Sequence, residues 1–317
     1  MPIKKKGNLL TTALLEFGSA GRLIPVSADN AGVQLHYDHP NGQLFLGDSL
    51  KWMASLANES VDLIFADPPY NIKKAEWDDF ESQEAYIAWS LRWITEAARV
   101  LKSSGSLYIC GFSEILAYLK HPAARYFHSC RWLVWHYRNK ANLGRDWGRS
   151  HESILHLRKS SEFALRVDAV RIPYGNHTLK YPSHPQAETS NFGQGKPRDE
   201  EWQPHPLGAK PKDVFEIPTT CNGMGEKTPH TTQKPEELLR KLVLAASDEG
   251  QTVLDPFSGS GTTLVVAEQL NRRWLGCDLN AEYNQWAIER LEKVRRLSLT
   301  EWLGLDRENA GRRESIR

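Results

Sequence analysis

Val61-Asp62-Leu63-Ile64-Phe65-Ala66-Asp67-Pro68-Pro69-Tyr70 is a mostly apolar run brought to a stop by two prolines. Apart from Asp62 the run has no polar alternation, which predicts a strand buried on both faces of a parallel sheet and a stiff loop at its carboxyl end. Open α/β sheets bind ligands beyond the carboxyl ends of their strands, so Asp67 stands where chemistry is expected. Each proline lacks an N–H and has a fixed φ, and this leaves the loop carbonyls available to other donors.

The pattern around this strand predicts the rest of an α/β fold. Gln43 to Leu46, after an Asn41-Gly42 turn, reads as a strand that ends at Gly47-Asp48. Ser82 to Leu101 reads as an amphipathic helix with Tyr86, Trp89, Trp93 and Ala97 as its core stripe. Ser106 to Cys110, Trp132 to Tyr137 and Ser153 to Leu157 read as strands. Beyond Lys227 come a helix from Pro235 to Ala246, a strand at Thr252 to Leu254, a helix from Thr262 to Leu270, a strand at Trp274 to Cys277 and a helix from Ala281 to Leu297. This alternation predicts a doubly wound, mostly parallel sheet. Between Pro173 and Lys227 prolines, glycines and polar residues dominate, the texture of a loop-rich insertion, with one short apolar run from Asp213 to Ile217. The expected organisation is an extension over 1–43, an α/β domain built from 44–137 and 228–297, an inserted region over 138–227 and a charged tail over 298–317.

The chain has 317 residues, with 40 Lys+Arg against 39 Asp+Glu, and a charge of +1 disfavours a protein that coats nucleic acid indiscriminately. The balance hides asymmetry. Leu44 to Leu101 holds ten acidic and five basic residues, whereas Arg131 to Lys159 holds seven basic and two acidic. The four cysteines lie far apart without a CxxC pair, so neither a disulfide framework nor a metal site is expected, and a reducing cytoplasm is the expected compartment. The apolar residues after Lys4, Lys5 and Lys6 are too few for a signal peptide, and no run approaches the roughly 20 that a membrane span needs.

Two motifs carry chemistry. In Asp67-Pro68-Pro69-Tyr70, a carboxylate and a backbone carbonyl stand side by side at a strand end. An exocyclic nucleobase amine has two hydrogens and a lone pair delocalised into its ring. If Asp67 and the Pro68 carbonyl accept both hydrogens, the nitrogen is drawn towards tetrahedral geometry and its lone pair is freed for attack. Pro69 keeps the loop rigid, and Tyr70 offers a flat face for stacking. The second motif is Asp255-Pro256-Phe257-Ser258-Gly259-Ser260-Gly261-Thr262-Thr263, set between a strand and a helix. Its glycines admit close backbone approach, and the helix start offers unpaired N–H groups. It lacks the third glycine of the nicotinamide fingerprint and the lysine of a phosphate-binding loop. Asp278 follows the next strand, where an acid typically holds ribose hydroxyls.

In combination, Gly47-Asp48-Ser49, Asp67 to Tyr70, His230-Thr231-Thr232-Gln233-Lys234-Pro235, Asp255 to Thr263 and Asp278 resemble the β group of S-adenosylmethionine-dependent DNA amino-methyltransferases. Thr231 departs from the proline usual in that family's His-Pro-Thr-Gln-Lys-Pro run. The resemblance implies a Rossmann-like methyltransferase fold with an inserted target-recognition region between the catalytic and cofactor loops. It implies that Phe257, Ser258, Gly259, Gly261 and Thr262 line the methionine and ribose end of S-adenosylmethionine, that Asp278 holds the ribose, and that Asp48 approaches the adenine. Thr232, Gln233 and Lys234 are then expected near the methionine carboxylate. Double-stranded DNA is the implied partner, with a homodimer and a cognate restriction endonuclease as analogies, at the nucleoid rather than at a membrane.

For DNA, the basic stretch offers Arg138, Lys140, Arg145 and Arg149 as phosphate contacts among Trp132, Trp135, Tyr137 and Trp147. Trp135 and Tyr137 read either as flanks for an extruded base or, Trp135 especially, as core. No cysteine follows a proline, so the nucleophile used for methylating cytosine carbon is missing, and the expected reaction is methyl transfer to adenine N6, with cytosine N4 as the alternative. An RNA or protein-amine methyltransferase, a dinucleotide oxidoreductase and a non-enzymatic DNA-binding module each use only part of this pattern.

Overall fold

The computed structural model describes residues 16–17, 23–24, 32–72, 78–139, 145, 147–181, 203–296 and 301. Two short strands, β1 (Glu16–Phe17) and β2 (Leu23–Ile24), form an antiparallel ribbon of their own. The remaining strands are β3 (Val33–His39), β4 (Gly42–Gly47), β5 (Val61–Ala66), β6 (Leu101–Gly111), β7 (Ser129–His136), β8 (His151–Arg158), β9 (Val214–Glu216), β10 (Thr252–Asp255) and β11 (Arg273–Asp278). They form one sheet in the order β3-β4-β11-β10-β5-β6-β8-β7-β9. From β4 to β6 all neighbours are parallel, as expected; β3 and β8 each run antiparallel to their neighbours.

The helices are α1 (Ser49–Ser55), α2 (Gln83–Val100), α3 (Ser113–Ala123), α4 (Asn176–Lys180), α5 (Glu236–Ala246), α6 (Thr262–Gln269) and α7 (Ala281–Leu291). They cover the parallel part of the sheet in two layers, and β5 shows why it is apolar throughout. Leu63 and Phe65 join the core that holds α5, α6 and α7, while Ile64 and Ala66 join the one that holds α1, α2 and α3. The Tyr86, Trp93 and Ala97 stripe of α2 is buried as its spacing predicts, and Ser82 caps that helix by accepting from Ala85 N at 3.0 Å. Asp62, the polar exception in β5, is buried yet satisfied. Its carboxylate receives Lys102 Nζ at 2.9 Å on both oxygens and Thr252 N at 2.9 Å, tying β5 to β10.

Several expectations are corrected. The last helix stops at Leu291, short of Leu297. Residues 33–39, assigned to an extension, form edge strand β3, and α1 and α3 were not anticipated. Residues 151–158, assigned to the inserted region, form β8, a strand of the core sheet between β6 and β7. The boundaries at 43 and 137 therefore cut through one continuous sheet, because antiparallel strands on the flanks of a parallel core need no crossover helix to announce them. Of the tail, 298–317, only residue 301 is among the described residues. None of the described helices is long and apolar enough to cross a membrane.

Candidate active site

Four of the central parallel strands deliver an aspartate at or just past their carboxyl ends: Asp48 after β4, Asp67 after β5, Asp255 closing β10 and Asp278 closing β11. All four line one cavity, together with Phe257, Ser258, Gly259, Thr262, Thr232, Gln233 and Lys234. The glycine loop is shaped by backbone conformation. Gly261 sits at φ 74°, and a Cβ there would stand 2.5 Å from that of Ala287 in α7, so no side chain is admissible. Gly259, at φ 50°, donates its N–H to Asp278 at 2.8 Å. Arg290 clamps the loop from behind through Ser260 O at 2.8 Å, Thr262 Oγ1 at 2.9 Å and Glu236 at 3.0 Å.

The aspartates differ in circumstance. Asp48 caps α1 by accepting Lys51 N at 2.9 Å while still facing the cavity. Asp278 is not a helix cap, a role Asn280 fills for α7. Its oxygens accept Gly259 N and Asn280 N, and burial raises its pKa. Asp255 accepts Thr263 Oγ1 at 2.5 Å and Phe257 N at 3.0 Å, and burial pushes its carboxyl up to about 7.

At Asp67 the loop behaves as its prolines predict. The Pro69 carbonyl receives Tyr86 Oη at 2.9 Å, whereas the Pro68 carbonyl accepts no hydrogen bond among the described residues. Asp78 secures the turn by accepting Tyr70 N and Asn71 N, each at 2.6 Å. Asp67 itself receives Tyr70 Oη at 2.6 Å and Lys234 Nζ at 2.5 Å. Lys234, 7% exposed, thus places its ammonium on Asp67 while lining the cavity of the four aspartates. Burial would lower the Lys234 pKa, but Asp67 and then Glu152 hold it above the ordinary lysine value; burial raises that of Asp67, with Glu152 adding to the effect. Gln233 has its amide engaged within its own loop, accepting Thr228 N at 2.7 Å and donating to Glu226 O at 2.6 Å.

A second cavity opens on the other side of this cluster, lined by Tyr70, Phe112, Trp135, Asn139, Glu152 and again Thr232 to Lys234. Lys234 lines both cavities, and Asp67 meets it between them. Tyr70 packs edge-on against Phe112 at 5.0 Å, with Lys234 Nζ 5.5 Å from its ring centre. Trp135 is core: it is 1% exposed, and its indole N–H donates to Ile217 O at 2.8 Å.

The basic residues are less free than the sequence implied. Arg138 pairs with Glu216 at 2.9 Å, and Arg149 pairs with Glu114 at 2.8 Å while stacking over Phe112 at 3.9 Å. Arg145 is exposed, and Lys140 lies outside the described residues. The residue that sequence reasoning missed is Glu152, whose Oε2 lies 3.1 Å from Tyr70 Oη, 3.5 Å from Cys110 Sγ and 3.6 Å from Lys234 Nζ. It is one of two acidic residues in a basic stretch, and only the antiparallel course of β8 brings its amino-terminal end to the catalytic edge.

Comparison with known proteins places the chain in a family. A family model described as DNA methylase, of the N6/N4 type, matches residues 61–289. The type II methyltransferase M1.MboII of Moraxella bovis is 34% identical over 240 residues, 73% of this chain and 89% of that one. The DNA adenine methyltransferase YhdJ of Escherichia coli K12 is 32% identical over 269 residues, 84% of this chain and 87% of that one. Among solved structures, the cytosine-N4-specific PvuII DNA methyltransferase shares the fold, with a TM-score of 0.62, 17% identity and coverage of 86% of this chain and 93% of that one. From the strand before Asp67 to the helix after Asp278, the chain belongs to the N6/N4 DNA methylase family, S-adenosylmethionine-dependent enzymes that methylate exocyclic amines of DNA bases.

Proposed function

We propose that this enzyme methylates adenine N6 at a specific duplex sequence, with Asp67 and the Pro68 carbonyl as the acceptors that hold the amine. The observation that carries this reading is that two cavities share Lys234, whose ammonium sits on Asp67, beside a proline carbonyl that has no partner among the described residues. Identity to an adenine enzyme over 84% of the chain favours adenine over cytosine.

The cavity of the four aspartates suits S-adenosylmethionine. Asp48 and Asp278 offer acceptors for hydroxyl and amino hydrogens, Phe257 offers an aromatic wall, and a Cβ at Gly259 would come within 3.2 Å of His230 Nε2 and narrow the floor. When bound, the donor supplies an electrophilic methyl group on a sulfonium. The chain positions the amine. Asp67 and Pro68 orient its hydrogens and Lys234 holds the Asp67 carboxylate in place, so catalysis rests mainly on alignment and a prepared acceptor. Tyr70 keeps its proton, because burial and then Asp67 hold the phenol well above its ordinary pKa. On the DNA side, exposed Arg145 is the foremost phosphate contact and Arg149 a positioned one. A second copy of the chain and a cognate endonuclease are the further partners this reading implies.

The test is to incubate the protein with labelled S-adenosylmethionine and unmethylated duplex DNA, and to identify the product nucleoside by mass spectrometry. N6-methyladenine is expected. N4-methylcytosine would overturn the choice of base, and undiminished transfer by Asp67→Ala would overturn the catalytic assignment.

A further inference from the structure

Asp67 and Glu152 are two carboxyl groups held around one ammonium and one phenol. Tyr70 Oη is 2.6 Å from Asp67 Oδ1 and 3.1 Å from Glu152 Oε2, and it has a single hydrogen for the two. The shorter contact takes that hydrogen, so the longer one is an oxygen-to-oxygen contact across which a proton can move. Lys234 Nζ leans on Asp67 at 2.5 Å and reaches Glu152 at 3.6 Å, and the Cys110 thiol donates to Glu152 from β6. Tyr137, just past the end of β7, and Arg149 are the other titratable groups that sense Glu152. The contacts of Glu152 with Tyr70, Cys110 and Lys234 all fall on Oε2; the residue lines the second cavity, and its side chain is 15% exposed.

Methyl transfer to an amine creates a surplus proton. The amine lone pair forms the N–C bond as the C–S bond breaks and its pair returns to sulfur. The nitrogen then carries a positive charge until one N–H pair reverts to it and that proton departs. Asp67 is the first acceptor on the reading above, but its carboxylate must be cleared for the next turnover.

We infer that Glu152 is the outlet of this proton. Once Asp67 is protonated it no longer draws the phenolic hydrogen, the Tyr70 hydroxyl turns to Glu152 Oε2, and Asp67 passes its proton to the Tyr70 oxygen as the phenolic proton moves to Glu152, which restores Asp67 as a carboxylate and Tyr70 as a phenol. Glu152 then releases it into the second cavity. Lys234 stays charged throughout and holds the two carboxyls at relay distance. The inference rests on the methyl-transfer reading and adds a residue to it.

The experiment is multiple-turnover methylation of duplex DNA by the full chain and by Glu152→Gln, Glu152→Ala and Tyr70→Phe, with and without added formate. Glu152→Gln is expected to slow the step about tenfold or more, with DNA affinity measured without the donor unchanged. Formate is expected to restore the Ala variant, which has room for it, and not the Gln variant. In the protein alone, Tyr70→Phe is expected to shift the infrared carboxyl band that Glu152→Gln removes. A Glu152→Gln rate within about twofold of the parent, a loss that formate leaves untouched in Glu152→Ala, or an unmoved infrared band overturns the relay. A parent that methylates no DNA refutes the underlying reading as well, and so separates the two failures.

Discussion

Replacing Lys234 with Met keeps the length and apolar stem of the side chain and deletes only its charge. The structure sets the cost. At 3.6 Å and an effective dielectric of about 20, the Lys234–Glu152 attraction alone is about 5 kcal/mol before desolvation. The 2.5 Å contact with Asp67 is closer still. Breaking a buried pair from one side typically costs about 3–5 kcal/mol, because the remaining charge is left uncompensated. Lys234→Met should therefore lower the thermal midpoint by roughly 5–15 °C near pH 8. The loss should shrink on acidification. With the ammonium gone, the Asp67 carboxyl rises further above its unfolded value, so the folded state binds more protons and stability falls as pH rises through the folded pKa. Unfolding followed between about pH 5.5 and 8.5 measures this slope, and Lys234→Met/Glu152→Gln should recover part of the loss by removing one of the two stranded carboxyls. A loss below about 1 kcal/mol, a pH-independent one, or no recovery in the double variant would refute the shared-cation account.

Asp255 is held protonated up to about pH 7 in the folded state, above the ordinary carboxyl value, so its contribution to stability is present in acid and fades as pH rises towards neutrality. Asp255→Asn should flatten that segment of the stability profile, as read by urea unfolding at a series of pH values. Arg145→Ala should weaken DNA binding for all sequences alike and reduce the slope of log affinity against log salt by about one, as measured by fluorescence anisotropy. An unchanged slope would remove Arg145 from the phosphate contacts.

The parallel core and its loops were legible because each left a local signature. Val61–Ala66 is apolar on both faces except at Asp62, two prolines mark its end, and the glycines at 259 and 261 announce a loop that only they can make. The Asn41-Gly42 turn legible in the sequence is the hairpin turn that pairs β3 with β4, and Asp48 carries the N-cap signal of α1. The Glu152 site had no such signature. Its partners come from residues 70, 110 and 234, and only the pairing of β8 against β6 brings them within reach. The same physics hides from composition that Glu114 and Glu216 pair with two arginines of the basic stretch from distant stretches of chain.

The Asp67–Lys234 pair joins residues 167 positions apart, and β5 and β10, neighbours at the centre of the sheet, meet across a comparable span. At a synthesis rate of about 5–20 residues per second, the ribosome delivers the aspartate roughly ten to thirty seconds before its counter-ion exists. During that interval β5 lacks its neighbour β10, and the Asp67 loop lacks the cation that later makes its burial tolerable. The nascent amino-terminal half therefore has an open sheet edge until β10 is made, and the active site cannot be complete before Asp278 is added.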